Sequence, residues 1–115
     1  MNTPLNAFVT ETNVELYLSK AYQALNVEER DLLLRLVATE EALMGKSREH
    51  MDNGQRRLQD CEQRLQQQRD VVATLAEQGR DASNAQFVLE TYERTVVLLR
   101  GHQQLLLERF RQAQL

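Results

Sequence analysis

The stretch from Ser47 to Gly79 decides the fold and reads SREHMDNGQRRLQDCEQRLQQQRDVVATLAEQG. Mostly apolar or small residues recur in it at alternating intervals of three and four: Met51, Gly54, Leu58, Cys61, Leu65, Gln68, Val72 and Leu75. This spacing is typical of a helix that packs along another helix, and the stretch contains no proline. The pattern therefore predicts one long helix with a single packing seam.

A second seam follows an interruption at Gly79, Arg80 and Asp81. Its positions are Ala85, Leu89, Tyr92, Val96, Leu99, Gln103, Leu106 and Phe110. Gly79 fits the left-handed residue that follows a helix end, and Asp81 fits the cap of the next helix. We therefore predict an antiparallel coiled-coil helical hairpin of residues 47–78 and 82–113, with Gly79 and Asp81 as its structural turn.

The charges agree with this hairpin. If the turn places Gln78 level with Ala82, facing residues have numbers that sum to roughly 160 to 164, so that Glu62 meets Arg100. Both flanks of the seam carry charge, and one of them forms a basic edge that consists of Arg57, Arg64, His102 and Arg109. This basic edge is a candidate surface for acidic groups.

The segment before the hairpin carries weaker signals. Residues 1–12 are polar and contain Pro4, and we interpret them as a flexible tail. Thr12 and Glu15 have capping-box spacing, and apolar residues at helical intervals predict a helix over residues 13–25. Val14, Leu16 and Leu18 also alternate as in a strand, but a single strand would have no pairing partner.

Asn26 and Glu29 repeat the capping pattern, so another helix is predicted to begin there. Its apolar positions keep the heptad frame of the later seam. We therefore expect a continuous or gently kinked helix from about Val27 to Gln78, with a break near Gly45 as the alternative. The predicted organisation is a tail (1–12), an N-terminal helical segment (13–46) and a hairpin (47–115).

The N-terminal helical segment has more leucine than one seam can cover. The second arm of the hairpin ends too early to reach it, so we expect a homodimer that forms a helical bundle from these segments. The candidate interaction residues are Leu33, Val37, Met44, Arg57, Arg64, His102 and Arg109. A second protein is the alternative partner.

Composition narrows the class of protein. The chain has 115 residues, 42% of them apolar, with four glycines and one proline, which favours an all-α fold. The formal charge of −3 argues against an electrostatic nucleic-acid binder. One cysteine, no basic-plus-apolar leader and no long apolar run indicate a cytoplasmic protein without a membrane segment.

Catalytic chemistry is not indicated. In the hairpin register His50 and His102 lie too far apart to share a metal, and no helical Glu-x-x-His pair surrounds His50. The seam buries Cys61, and phosphate loops, nucleophile elbows and Cys-x-x-Cys are absent from the sequence. We predict no catalytic residues, no metal site, no cofactor and no enzyme activity.

Several short runs carry a resemblance. They are Arg48–Leu58, Gln68–Leu75, Gly79–Ala85 and Val96–His102, and together they resemble short bacterial helical-hairpin proteins with the pattern His-Ile-x-x-Gly-Glu, Gly-x-Asp-Thr-x-x-Ala and a late His. Gln55 and Ala82 depart from the pattern. The resemblance implies a helical hairpin and no established activity, and it points to His50, Gly54, Gly79, Asp81 and His102 by position.

Three functions remain open at this point. The leading hypothesis is a homo-oligomeric protein–protein interaction or regulatory module. The second is a small regulator that responds to a ligand or associates with nucleic acid through Arg56, Arg57, Arg64, Arg100 and His102. The third is a metal-dependent or redox helical protein that uses Cys61.

Overall fold

A computed structural model of the chain describes residues 4–43 and 48–113. Within them it contains four helices, which are α1 (Pro4–Tyr22), α2 (Val27–Ala42), α3 (Arg48–Glu77) and α4 (Ser83–Ala113). No strand occurs in these two ranges, so the all-α prediction is confirmed. None of the helices in the described part of the chain is long and apolar enough to cross a membrane.

The helices alternate in direction along a bundle 55 Å long. α3 and α4 are antiparallel, because Gln68 reaches the carbonyl of Ala85 near the turn and Gln103 reaches that of Met51 at the far end. α2 and α4 are parallel, since Arg30 lies over Phe87 and Glu41 lies beside His102. The chain therefore runs up, down, up and down through α1, α2, α3 and α4.

The connection between α2 and α3 differs from our expectation of one continuous helix. α2 ends at Ala42, where the amide of Leu43 bonds back to the carbonyls of Glu40 and Glu41, and α3 begins at Arg48. A single helix over residues 27–77 would be about 76 Å long at 1.5 Å per residue, which exceeds the bundle. The shared heptad frame was misleading, because the chain reverses direction between the two helices. Gly45 and Ser47 lie outside the described residues.

The N-terminus also differs. α1 begins at Pro4, so residues 4–12 are helical where the sequence suggested a tail, and Thr12 lies inside the helix rather than at its cap. Proline suits the first turn of a helix, where its missing amide has no partner to lose. The next boundary agrees with the capping pattern, because the Asn26 side chain accepts a hydrogen bond of 2.8 Å from the Glu29 amide.

The core consists of three apolar clusters. One lies between α3 and α4 and contains Leu58, Cys61, Leu65, Leu89, Val96 and Leu99. The other two lie between α1 and α2 and contain Val14, Leu18, Ala21, Leu33, Leu34 and Val37. Leu98 of α4 packs against all three clusters, and this one side chain joins the two helical pairs.

This packing changes the basis of the dimer prediction. Leu33 is 9% exposed and Val37 is fully buried, and α1 covers both within the same chain. The reason for requiring a second copy at these two positions therefore disappears. Met44, the third residue of that set, lies outside the described residues.

The turn between α3 and α4 has the predicted chemistry. Gly79 has a φ of +66°, in the left-handed region that favours glycine. The Asp81 carboxylate accepts hydrogen bonds from the amide and the hydroxyl of Ser83, and these bonds lower its pKa. Further along the pair, Glu62 and Arg100 approach to 3.6 Å, as the register predicts.

Candidate functional site

An open groove of about 690 Å³ lies between α2 and α4. The apolar residues that line its floor and edges are Leu34, Ala38, Val97 and Leu98. Val97 is 70% exposed, although a valine in a packed bundle is ordinarily buried. The groove is thus a strip of apolar surface that the chain itself leaves uncovered.

A ridge on α4 borders this groove. Val97, Gly101 and Leu105 follow each other at intervals of four residues and therefore lie along one side of the helix. All three are exposed, and a Cβ atom added to Gly101 would meet nothing within 4 Å. The missing side chain allows another backbone to approach α4 closely at the middle of the ridge.

Charges flank the groove on both walls. α2 contributes Asp31 and Arg35, and α4 contributes Glu93 and Arg94. Asp31 also accepts a hydrogen bond of 3.1 Å from the buried Arg30, whose guanidinium lies 5.0 Å from the centre of the Phe87 ring. Each wall therefore presents one acid and one base beside the apolar floor.

A buried polar cluster lies beyond one end of the groove, where residues of all four helices meet. Arg57 of α3 is 6% exposed and forms ion pairs with Glu11 and Glu15 of α1. A buried charge is stable only when it is paired, so these contacts tie α1 to α3. Arg57, a residue of the predicted basic edge, thus has its acidic partners, Glu11 and Glu15, within the same chain.

Glu41 and His102 complete this cluster. Oε2 of Glu41 and Nε2 of His102 are 3.3 Å apart, and Glu41 is only 2% exposed. Burial raises the pKa of Glu41 to about 7, with Arg57 opposing and Glu11 adding to the effect. Burial also lowers the pKa of His102, and the nearby Arg57 and Arg109 lower it further. The two groups therefore prefer their neutral forms.

Gln103 forms the polar contact at the end of the α3–α4 pair. Its Nε2 donates a 2.8 Å hydrogen bond to the carbonyl of Met51. A Cβ atom on Gly54 would overlap Oε1 of this side chain, so a larger residue there requires the carboxamide to move. The register sum of roughly 160 to 164 sets Gly54 level with Leu106 to Phe110, whereas in the structure Gln103 fills the space.

Cys61 lies within an aromatic cluster. Its Sγ lies 3.8 Å from the carbonyl of Tyr92, and the rings of Tyr22 and Tyr92 are 5.0 Å apart. Burial raises the pKa of the Cys61 thiol to about 11 and raises that of Tyr22 well above its usual value. The thiol is therefore protonated and shielded, which does not favour redox chemistry.

The structure does not bring the basic edge together as one exposed surface. Arg57 is buried, whereas Arg64 is exposed, bonds to Asp60 at 2.9 Å and lies over the Tyr22 ring. His102 faces Glu41, and Arg109 is exposed. Leu33 and Val37 belong to the core.

Sequence reasoning missed a second packing stripe on α4. Thr91, Thr95, Leu98 and His102 lie on one side of the helix and face α1 and α2, and both threonines are almost fully buried. Their hydroxyls bond to backbone carbonyls four residues earlier, which satisfies them inside the protein. Three of the four residues are polar, so an apolar periodicity search passes over them.

No family model, curated protein or solved structure matches this chain in the comparisons that we made. Within the described ranges no group of three or more histidine, cysteine, aspartate or glutamate residues has a geometry that could hold a metal ion. Fold and site together define an all-helical protein with an open apolar groove and a buried polar cluster.

Proposed function

We propose that this chain is a non-enzymatic protein–protein interaction module that forms a homodimer through the groove between α2 and α4. The observation that supports the proposal is the exposure of Val97 beside an apolar floor of Leu34 and Ala38. Exposed contiguous apolar surface normally marks an interface. Burying it against another helix removes that surface from water.

The shape of this face favours a second copy as the occupant. The ridge of Val97, Gly101 and Leu105 lies directly beside the groove on the same face of the bundle. A two-fold rotation therefore places the ridge of each copy against the groove of the other, so that both contacts form at once. Helices pack in this way when the side chains of one enter the spaces of its neighbour.

The charges also favour a second copy. Each wall of the groove carries one acid and one base, so the face has no net charge and meets an identical face without an excess of like charge. A strongly acidic or basic partner would gain little from such walls. The arginines considered for nucleic acid add support, because Arg57, Arg64 and Arg100 each form an ion pair within the chain.

This interface differs from the one expected from sequence. The sequence placed self-association at Leu33 and Val37, whereas α1 covers both of them. The proposed interface uses the outer face of the same helix, through Ala38 and Arg35. The groove spans only about two turns of each helix, so we expect a dissociation constant on the order of micromolar.

Sedimentation velocity across micromolar concentrations tests this proposal. The variant Val97→Asp places a charge in the interface and is expected to raise the dissociation constant by more than about tenfold. Val71→Asp is the matched control, because Val71 is also an exposed valine but lies on α3 near the turn. A wild-type protein that stays monomeric, or two variants with equal effects, would contradict the proposal.

A further inference from the structure

Besides the packing of Leu98, two polar contacts of the described residues lie between α2 and α4, one at each end of the groove. At one end the guanidinium of Arg30 lies over the ring of Phe87, and at the other Glu41 lies beside His102. Glu41 precedes Ala42 at the end of α2, and His102 follows Gly101 of the ridge. The spacing of the two helices at this end of the groove therefore depends on the pair of Glu41 and His102.

Both facing atoms are shielded from solvent. Oε2 of Glu41 and Nε2 of His102 lie 3.3 Å apart, and neither atom has a hydrogen bond among the described residues. At this distance one proton between them makes a favourable contact, and a missing or extra proton leaves a buried charge. Buried charges without a close partner are costly.

Charged groups from three helices act on the pair. α1 contributes Glu11, α3 contributes Arg57 and α4 contributes Arg109. His50 is a further titratable residue of α3, buried two turns before Arg57. Glu11 already pairs with Arg57, so the guanidinium is shared and does not belong to Glu41 alone. The surroundings therefore favour a neutral carboxyl at Glu41.

We propose that Glu41 and His102 form a proton-dependent clamp that holds α2 against α4 and sets the width of the groove. In the closed form the protonated carboxyl of Glu41 donates a hydrogen bond to Nε2 of neutral His102. When Glu41 loses its proton, hydration of the carboxylate favours movement of the end of α2 away from α4. The effect of this movement on self-association rests on the proposed function, but the movement itself does not.

The direction of the pKa shifts agrees with this clamp. Since burial raises the pKa of Glu41 to about 7, its carboxyl titrates near neutral pH, while that of His102 is lowered and the imidazole stays neutral there. Between pH 4.5, the ordinary pKa of a glutamate, and about pH 7, Glu41 keeps its proton in the closed form. Ionisation of Glu41 is expected to lower the ratio of closed to open molecules about tenfold between about pH 6 and about pH 8, and protonation of His102 in the open form at the lower pH makes the net fall smaller.

Double electron–electron resonance measures the movement directly. Spin labels are placed at Ala42→Cys and Gln104→Cys, two exposed positions at this end of α2 and α4, and the labelled protein is diluted with unlabelled protein to remove distances between copies. The native Cys61 is fully buried and does not compete for the label. We expect a longer and broader distance at about pH 8 than at about pH 6.

The variant Glu41→Gln keeps the shape of the side chain but cannot ionise. The distance between its two spin labels is therefore expected to stay at the closed value at both pH values. Glu40→Gln, one residue earlier and partly exposed, is the matched control and should behave as wild type. A distance that ignores pH in wild type, or one that changes equally in Glu41→Gln, would overturn the clamp.

The two proposals fail separately. If the dissociation constant of the wild-type dimer rises from about pH 6 to about pH 8, by no more than about tenfold, and Glu41→Gln abolishes the rise, both proposals are supported. If the label distance changes while the protein stays monomeric at both pH values, the clamp stands and the groove proposal falls. If dimers form through Val97 but the label distance is constant, the clamp falls and the groove proposal stands.

Discussion

Gly54→Ala and Gly101→Ala add the same methyl group to two helical glycines whose surroundings differ. At Gly101 the added Cβ meets nothing within 4 Å. At Gly54 it overlaps Oε1 of Gln103, so the carboxamide must move. The pair of variants separates the helix propensity of alanine from the cost of displacing Gln103.

The magnitudes follow from these two environments. Alanine is more favourable than glycine in a helix interior by about 1 kcal/mol, so Gly101→Ala should raise the free energy of unfolding by about that amount. Gly54→Ala has the same gain, but it displaces the flexible end of Gln103 and breaks its hydrogen bond to Met51. That loss is about 1 kcal/mol, so the net change in the free energy of unfolding is expected to be close to zero.

Urea unfolding followed by circular dichroism measures both effects. The background variant Gln103→Ala removes the obstacle, and in that background Gly54→Ala is expected to stabilise the protein as Gly101→Ala does in wild type. The difference of about 1 kcal/mol between the two backgrounds isolates the contact between the two residues. If Gly54→Ala stabilises the wild-type protein as much as Gly101→Ala does, the close approach of α3 and α4 at this point is refuted.

Three further predictions concern the core and the polar cluster. The pKa of Glu41 is raised from 4.5 to about 7 in the folded protein, so ionisation of Glu41 opposes folding. The free energy of unfolding of wild type, relative to that of Glu41→Gln, should therefore fall by about 3 kcal/mol as pH rises from 4.5 to about 7 and then stay level. Equal pH profiles of the two proteins would contradict the buried position of Glu41. Burial raises the pKa of the Cys61 thiol from 9 to about 11. A thiol reagent at pH 8 should therefore react at least about 100-fold more slowly with the native protein than with the unfolded protein. Equal rates would place the thiol at the surface. Leu98→Ala should lower the free energy of unfolding by about 2 kcal/mol in the same urea assay, because Leu98 packs against both helical pairs, whereas Leu107→Ala on the exposed side of α4 should change it little.

The sequence predicted the part of the fold that local spacing and turn chemistry determine. Gly79 and Asp81 have a conformation and a cap that follow from their residue types, and the ion pair of Glu62 with Arg100 follows from the length of the turn. Asn26 likewise caps α2 through its own side chain. Each of these features depends on nearby residues or on a register that one turn sets.

The remaining features depend on contacts between distant segments. The reversal between Ala42 and Arg48 could not be inferred from a heptad frame that continues through it. Arg57 looked like part of an exposed basic edge, but α1 brings Glu11 and Glu15 to it from more than 40 residues away. The packing face formed by Thr91, Thr95 and His102 is mostly polar, and the groove beside Val97 exists only because α2 lies next to α4.

A second copy of the chain is proposed to occupy the groove between α2 and α4. Cross-linking of two variants that each carry one added cysteine beside the buried Cys61 tests this most directly, because Ala38→Cys on the groove floor and Val97→Cys on the ridge should meet across the interface. A short bismaleimide added to an equal mixture of the two variants is predicted to give a covalent dimer in high yield, while a mixture of Ala38→Cys with Val71→Cys gives little. Equal yields from the two mixtures would contradict the account.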